Sequence, residues 1–160
     1  MKFSTKEDIE APIDAVFAML CDFEGFERSA MRRGAEVQRV DTLRKPSVGM
    51  MWDAAFALRG KQRQVRIEMI KFDHPSEMEL LSTSTGLSGT MRLELMALAR
   101  NRTRVLVDFG LVPHNLSARL LVQSLKLAKS SLTKRYKLRV AEYAKSLEDR
   151  YTSGTAPQKP

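Results

Sequence analysis

The sequence contains few of the residues that most enzymes use for catalysis or metal binding. It has one cysteine and two histidines among 160 residues. The single cysteine, Cys21, excludes an internal disulfide and fits a reducing compartment, so we predict a cytoplasmic protein. HxxxH, CxxC and GxSxG spacings and glycine-rich phosphate loops are all absent. We therefore predict no metal site and no cofactor, and the sequence leaves open whether the protein is an enzyme.

Long apolar runs are also missing. The longest unbroken apolar stretches span only a few residues, which excludes a transmembrane helix. The first residues, MKFSTKEDIEAP, carry charges where a signal peptide needs an apolar run. One domain is predicted over residues 1–151, because this length can bury a sizeable core and no linker divides it. Residues 152–160, TSGTAPQKP, have no large apolar side chain and are predicted to form a disordered tail.

The charge is strongly positive, with a formal net charge of +8. A basic protein can bind nucleic acid or an anionic membrane, but the basic residues here are scattered along the chain. In the C-terminal third, Arg119, Lys126 and Lys137 share a predicted helix face opposite the leucines, which is typical of a solvated surface. No aromatic residues alternate with them to stack on bases. We therefore expect no nucleic-acid partner, and either a monomer or a homodimer.

The middle of the chain has the periodicity of β-strands. Residues 35–43, 50–59, 61–73, 77–85, 87–99 and 103–112 alternate apolar and polar side chains and are joined by short turns. Tight links of this kind connect antiparallel strands, because parallel pairs need long crossovers. Before this meander, the pattern predicts a strand over residues 2–10 and two short helices, one from Pro12 to near Asp22 and one from Phe23 to about Arg33.

A long amphipathic helix is predicted from about Asn115 to about Arg150, because this stretch contains no Gly or Pro and its leucines recur at helical spacing. Small and polar residues run down the middle of its apolar face: Ser124, Ala128, Ser131 and Arg135. A helix built only to be packed would carry large side chains there, because protein interiors are densely filled. The stripe therefore predicts that the helix roofs a cavity. The elements together predict an α+β fold, in which a curved antiparallel sheet of about seven strands wraps around a long C-terminal helix.

The same order of elements, with its local motifs, resembles the START/Bet v1-like superfamily, also called SRPBCC or helix-grip proteins. The resemblance covers residues 2–150. It is carried by the opening IEAPIDAVF of residues 9–17, by Gly49 with Trp52, by TRV at residues 103–105 and by the closing helix. Within the superfamily, the chain looks most like the polyketide cyclase/dehydrase and lipid transport group. The resemblance implies a helix-grip fold but no shared catalytic motif, so function at this level rests on analogy.

Candidate ligand-binding residues follow from the strand and helix patterns. We predict that the cavity walls come from six residues: Trp52, Phe56, Met91, Leu93, Val107 and Phe109. The roof is predicted to come from Leu120, Ser124, Ala128 and Ser131. Serines and threonines at residues 82–85 give one strand two polar rows, and whichever row faces inward would make the wall partly polar.

Two of the candidate residues could orient a ligand. The Trp52 indole N–H could donate to a ligand oxygen, or Trp52 could serve packing alone. Arg135 could bind a ligand carboxylate or enolate through its planar fork, or extend into solvent, or pair with an acid such as Glu10.

The function predicted from these features is binding or transport of a small hydrophobic molecule or lipid in an internal cavity. One alternative is an enzyme of the polyketide cyclase/dehydratase type that uses Trp52, Arg135 or His114 to polarise a carbonyl. Another is a protein- or ribosome-interaction module of the same fold, whose interior should be filled. A shortage of histidine and of inward-facing carboxylates argues against the enzyme.

Overall fold

The computed structural model describes residues 1–154, which form one antiparallel sheet of seven strands and four helices. The elements follow the order β1 (Lys2–Ile9), α1 (Ile13–Leu20), α2 (Phe23–Arg32), β2 (Glu36–Arg39), β3 (Met51–Leu58), β4 (Lys61–Asp73), β5 (Glu77–Ser84), β6 (Leu87–Ala99), β7 (Arg102–Pro113), α3 (Leu116–Leu127) and α4 (Lys129–Thr152). The predicted fold class, a curved sheet with a long C-terminal helix, is confirmed. None of the helices in this part of the chain is long and apolar enough to cross a bilayer.

The sheet is a six-stranded meander, and the first strand is added at one edge, beside the last strand. Its strand order is β1-β7-β6-β5-β4-β3-β2, so β2 to β7 are each hydrogen-bonded to the next in sequence and β1 pairs with the last. The β3–β4 turn shows how local sequence sets the pairing. Leu58 pairs with Lys61, and the two turn residues Arg59 and Gly60 both have positive φ, at 51° and 73°. Positive φ at both positions matches the right-handed twist of the flanking strands and fixes their register.

Strand β2 is shorter than predicted because Asp41 draws the chain away from the sheet. The Asp41 carboxylate accepts two hydrogen bonds from the Arg39 guanidinium, both at 2.9 Å. It also accepts the backbone N–H groups of Leu43, at 2.9 Å, and Met51, at 2.8 Å. These bonds hold the connection between β2 and β3. The hydrogen bonds from the charged Arg39 guanidinium, together with those from the two backbone N–H groups, lower the pKa of Asp41 well below its ordinary range.

The predicted long C-terminal helix is interrupted at Ala128. There φ is −103° and ψ is 14°, and the backbone N–H of Ala128 donates to the Leu125 carbonyl at 3.0 Å. The break follows from tertiary packing, because no Gly or Pro is present and α3 packs against β7 whereas α4 lies along β1. Thr152, predicted to start a disordered tail, is the last residue of α4; residues 155–160 of that tail lie outside the described residues.

One end of the interior is filled by a conventional hydrophobic core. Helix α1 buries all six residues from Ala15 to Leu20 against the sheet and the C-terminal half of α4. The largest fully buried apolar side chains are Phe17, Ile9, Met19, Met50, Met69, Met78, Leu147 and Val16. The Thr103 hydroxyl is also fully buried there and donates to the Ala11 carbonyl at 2.8 Å. This bond ties the entry of α1 to β7.

We expect Thr103→Val to destabilise the fold by about 1 to 3 kcal/mol, because the buried Ala11 carbonyl loses its donor while the side-chain volume is kept. Urea unfolding followed by circular dichroism measures the change. Thr83→Val is the matched control, since the Thr83 hydroxyl is exposed and its distance to the Arg66 carbonyl is 3.4 Å. Equal losses in the two variants would contradict a structural role for the buried hydroxyl.

The stability contributed by Asp41 should depend on pH. A carboxyl whose folded-state pKa is lowered stabilises the fold above its unfolded pKa, here near 3.8, and loses that contribution as the pH falls towards the folded value. Asp41→Asn should therefore lower the urea midpoint at pH 7, and its difference from wild type should shrink as the pH falls below about 4. Asp53→Asn, in an exposed pair with Arg66, should have a smaller effect at pH 7. A pH-independent difference for Asp41→Asn would refute this explanation.

Candidate functional site

The concave face of the sheet and the two C-terminal helices line a partly open cavity of about 580 Å³ at the end opposite α1. We call it the larger cavity. Its sheet wall is formed by Met1, Phe3, Ala54, Phe56, Leu58, Arg63, Val65, Ile67, Ser82, Ser84, Leu87, Ser88, Gly89, Phe109 and Leu111. Its roof is formed by Leu121 and Leu125 of α3 and by Leu132, Arg135, Tyr136 and Arg139 of α4. The lining is predominantly apolar.

The larger cavity exists because small residues occupy the middle of the inward face. Ser82 on β5 pairs with Gly89 on β6, and Gly89 pairs with Leu111 on β7. A Cβ atom at Gly89 would already lie 3.4 Å from the Leu111 side chain and 3.5 Å from the Phe109 ring. The same strands carry Met78 and Leu95 further along, where the core is filled. Side-chain size along single strands therefore divides the interior into a packed end and an open end.

A smaller cavity of about 290 Å³ lies beside the core, between the sheet and the middle of α4. Its lining is formed by Glu7, Ile9, Leu20, Phe26, Met91, Leu93, Val105, Val107, Tyr136, Arg139, Val140, Tyr143, Ala144 and Leu147. Two residues, Tyr136 and Arg139, line both cavities.

Tyr136 forms the partition between the two cavities. Its hydroxyl donates to the Val107 carbonyl at 2.6 Å, and its ring centroid lies 5.6 Å from that of Phe3. Burial, with a smaller contribution from the Asp108 carboxylate, raises the pKa of Tyr136 to about 12. The phenol therefore keeps its proton at neutral pH and remains a hydrogen-bond donor.

The predicted wall residues are distributed between the two cavities. Phe56 and Phe109 line the larger cavity, and Met91, Leu93 and Val107 line the smaller one. Trp52 lines neither. It packs in the core with its ring centroid 5.5 Å from that of Phe23, and its indole N–H is buried without a partner among the described residues.

The leucines that form the roof lie one position further along the chain than predicted. Leu120, Ser124, Ala128 and Ser131 line neither cavity. Leu120 is 64% exposed, and the Ser124 hydroxyl accepts from Arg59 in the β3–β4 turn. The prediction assumed one continuous helix with its leucines buried, but the break at Ala128 sets α3 and α4 on different strands. The leucines that face inward are Leu121, Leu125 and Leu132, whereas Leu116, Leu127 and Leu138 are exposed.

Arg135 does line the larger cavity, with two further arginines that the sequence analysis did not identify. Of the other readings left open for Arg135, the ion pair with Glu10 is not formed, since Glu10 pairs with Arg102 at 2.9 Å, whereas the Arg135 side chain is exposed. Arg139 follows Arg135 by one helical turn. Arg63 could have been found from strand alternation, since it shares the inward face of β4 with Val65 and Ile67, which are apolar.

Among the residues that the structure describes, neither histidine nor the cysteine lines the larger or the smaller cavity. His114 lies 2.8 Å from the Ser88 hydroxyl through its Nε2 atom, in an exposed position, and no described carboxylate forms an ion pair with it. Burial raises the pKa of Cys21 to about 11, so its thiol is protonated at neutral pH. Within residues 1–154, no group of three His, Cys, Asp or Glu side chains could hold a metal ion.

Three solved structures with the same fold match 82% to 94% of the chain. The Zhui aromatase/cyclase from Streptomyces sp. R1128 matches with a TM-score of 0.65 at 12% identity, covering 94% of this chain and 95% of that chain. A START superfamily protein from Mycobacterium smegmatis matches with a TM-score of 0.52 at 13% identity, covering 84% and 95%. An HSP90 activator from Plasmodium falciparum matches with a TM-score of 0.52 at 16% identity, covering 82% and 89%. No protein-family model and no curated protein sequence matches the chain.

At these identities the likeness shows the fold alone. The START/Bet v1-like helix-grip fold that the sequence predicted is confirmed. One neighbour is named as an aromatase/cyclase and another as an HSP90 activator, so the shared architecture leaves the choice of function to the residues of the cavities.

Removing the Tyr136 ring should join the two cavities. We expect Tyr136→Ala to shift the preferred length of a bound neutral 1-alkanol towards longer chains, because the smaller cavity then extends the larger one. Calorimetric titration with alkanols of increasing length measures the preference. Tyr136→Phe keeps the ring and loses only its hydrogen bond, so its preference should stay that of wild type. An unchanged preference in Tyr136→Ala would show that the ring does not separate the two spaces.

Proposed function

We propose that this chain, which has the helix-grip fold of the START/Bet v1-like superfamily, binds a small hydrophobic molecule or lipid in its larger cavity. The proposal is based on the size of the larger cavity, about 580 Å³, and on its predominantly apolar lining. Ligand sites in proteins typically span about 300 to 1,000 Å³ and combine apolar walls with a few polar groups. Burial of the ligand's apolar surface would drive binding.

The division of the lining suggests a role for each part of the proposed site. The rings of Phe56 and Phe109 and the leucines of α3 and α4 offer apolar contact to the ligand body. Ser82 and Ser84 make the β5 wall partly polar, as expected if the serine row faced inward. Met91, Leu93 and Val107 belong to the smaller cavity and would contact a ligand only if it passed the Tyr136 partition. Trp52 is assigned to packing.

Binding is favoured over the two alternatives by the groups that line the larger cavity. Within the described residues its titratable side chains are three arginines and Tyr136, whose pKa burial raises to about 12. None of them is a ready general base, which a cyclase or dehydratase would require for proton abstraction. An interaction module was expected to have a filled interior, and an open apolar space of this size does not fit that expectation.

The proposal is tested by filling the cavity. Ser82 faces inward opposite Gly89, so Ser82→Phe should place a ring in open space. We expect at least about tenfold weaker binding of a neutral dye such as N-phenyl-1-naphthylamine, because the introduced ring occupies volume that the ligand needs. Fluorescence titration measures binding, and circular dichroism checks that the fold is kept.

The matched control is Thr83→Phe, which adds a similar ring one residue along the same strand, on the exposed face. It should leave dye binding unchanged. Native mass spectrometry of protein purified without detergent should also reveal a co-purifying hydrophobic molecule. Absence of dye binding to the wild-type protein, or equal binding by folded Ser82→Phe, would defeat the proposed function.

A further inference from the structure

The charges around the larger cavity are one-sided. Three arginines line it, Arg63 on β4 with Arg135 and Arg139 on α4, and within the described residues no acidic side chain lines it. Elsewhere in the chain, inter-strand arginines have carboxylate partners at hydrogen-bonding distance. Arg66 pairs with Asp53 at 2.8 Å, and Arg104 pairs with Asp8 at 2.8 Å. None of the three arginines of the cavity forms an ion pair within residues 1–154, and among the strand arginines of that range only Arg63 lacks a carboxylate partner.

Arg63 is the most constrained of the three. It stands on the inward face of β4, where its β3 neighbour is Phe56. Its Nε atom is buried and has no hydrogen-bond partner in the described part of the chain. A buried donor of a charged group without an acceptor is costly, and arginine cannot relieve that cost by losing its proton. A bound ligand with an acceptor at this position would remove the penalty.

The geometry of a guanidinium selects the chemistry of that acceptor. Its donors form a rigid planar fork that matches two oxygens of a carboxylate or phosphate, and such charge-assisted pairs are stronger than neutral hydrogen bonds. Arg135 and Arg139 are exposed, lie one helical turn apart and add positive potential from the α4 side of the cavity. The remaining walls are apolar and suit a hydrocarbon or aromatic body.

From this arrangement we infer that the ligand is an acidic amphiphile, with an apolar body in the larger cavity and an oxyanion head group bound by Arg63. Arg135 and Arg139 contribute attraction to the same charge. This inference depends on the proposed binding function and specifies the class of ligand. A carboxylate and a phosphate share the required chemistry, and the two are separated experimentally.

The test compares three ligands with the same twelve-carbon chain by calorimetric titration: dodecanoate, its neutral methyl ester and dodecyl phosphate. Wild-type protein should bind at least one of the two anions about tenfold or more tightly than the ester. The tighter of the two anions identifies the head group. Arg63→Met should weaken binding of that anion by about 10- to 150-fold, as expected for loss of a charged hydrogen bond, and should change ester affinity by less than about twofold.

Two further kinds of variant complete the experiment. Arg135→Met and Arg139→Met should each cause a smaller loss of anion affinity, because exposed charges are screened by solvent. Arg66→Met is the matched control: it removes the same charge from the outward face of the same strand and should leave anion affinity unchanged. Retained ester binding by Arg63→Met shows that the variant is folded, so a misfolded protein cannot imitate the expected result.

The possible failures are distinguishable. Equal affinity of wild-type protein for the ester and both anions, or equal losses for anion and ester in folded Arg63→Met, would overturn the acidic head group and leave the proposed function standing. Failure of all three ligands and of the neutral dye to bind would remove the proposed function itself. Equal losses of anion affinity in Arg63→Met and Arg66→Met would assign the effect to overall charge and overturn the site.

Discussion

The register of the antiparallel sheet is the constraint on which the rest of the structure depends. Side chains along a strand alternate between two faces, so a shift of one residue in any hairpin would exchange the inward and outward rows. The two-residue turn at Arg59 and Gly60 pins the β3–β4 hairpin, and the carboxylate of Asp41 ends β2 where the chain must leave the sheet. The registers of the β5–β6 and β6–β7 pairs bring Ser82, Gly89 and Leu111 together in one inward row.

That inward face explains why a single sheet supports both a core and a cavity. Towards α1, the facing positions carry methionines, leucines and phenylalanine that fill the interior. Towards α3, the small residues Ala54, Ser82 and Gly89 stand among larger ones in the inward rows and leave space beneath the helices. Tyr136 stands at the boundary, where its ring packs on Phe3 and its hydroxyl is held by Val107. The cavity is therefore a consequence of side-chain volume, with the backbone continuing unchanged across both ends.

The distribution of charge follows the same division between faces. On the outward face, basic and acidic residues of neighbouring strands form ion pairs such as Arg92 with Glu77 and Arg104 with Asp8. Exposed pairs of this kind contribute little to stability individually. On the inward face, Arg63 has no such partner within the described residues, in surroundings where an unsatisfied donor is costly. The arginines of this basic chain therefore include two kinds, those that form ion pairs on the outward face and Arg63, which lines the cavity.

The sequence alone determined the fold class, and it placed the strands well, because alternation, turn residues and helix ends are local signals. Strands β4 and β6 begin and end where alternation predicted. Phe56, Phe109 and Arg135, which were predicted from periodicity within one element, line the larger cavity.

Only the tertiary structure decided how α3 and α4 lie over the sheet. The sequence around Ala128 contains no Gly or Pro that would end a helix. The break arises because the two helices pack on different strands. The roof is formed by Leu121, Leu125 and Leu132, each one position after the predicted Leu120, Ser124 and Ser131. Contacts between elements distant in sequence likewise decided that Tyr136 divides the interior and that Arg63 is left without a partner among the described residues. Such contacts depend on how whole elements pack, and local periodicity contains no information about that.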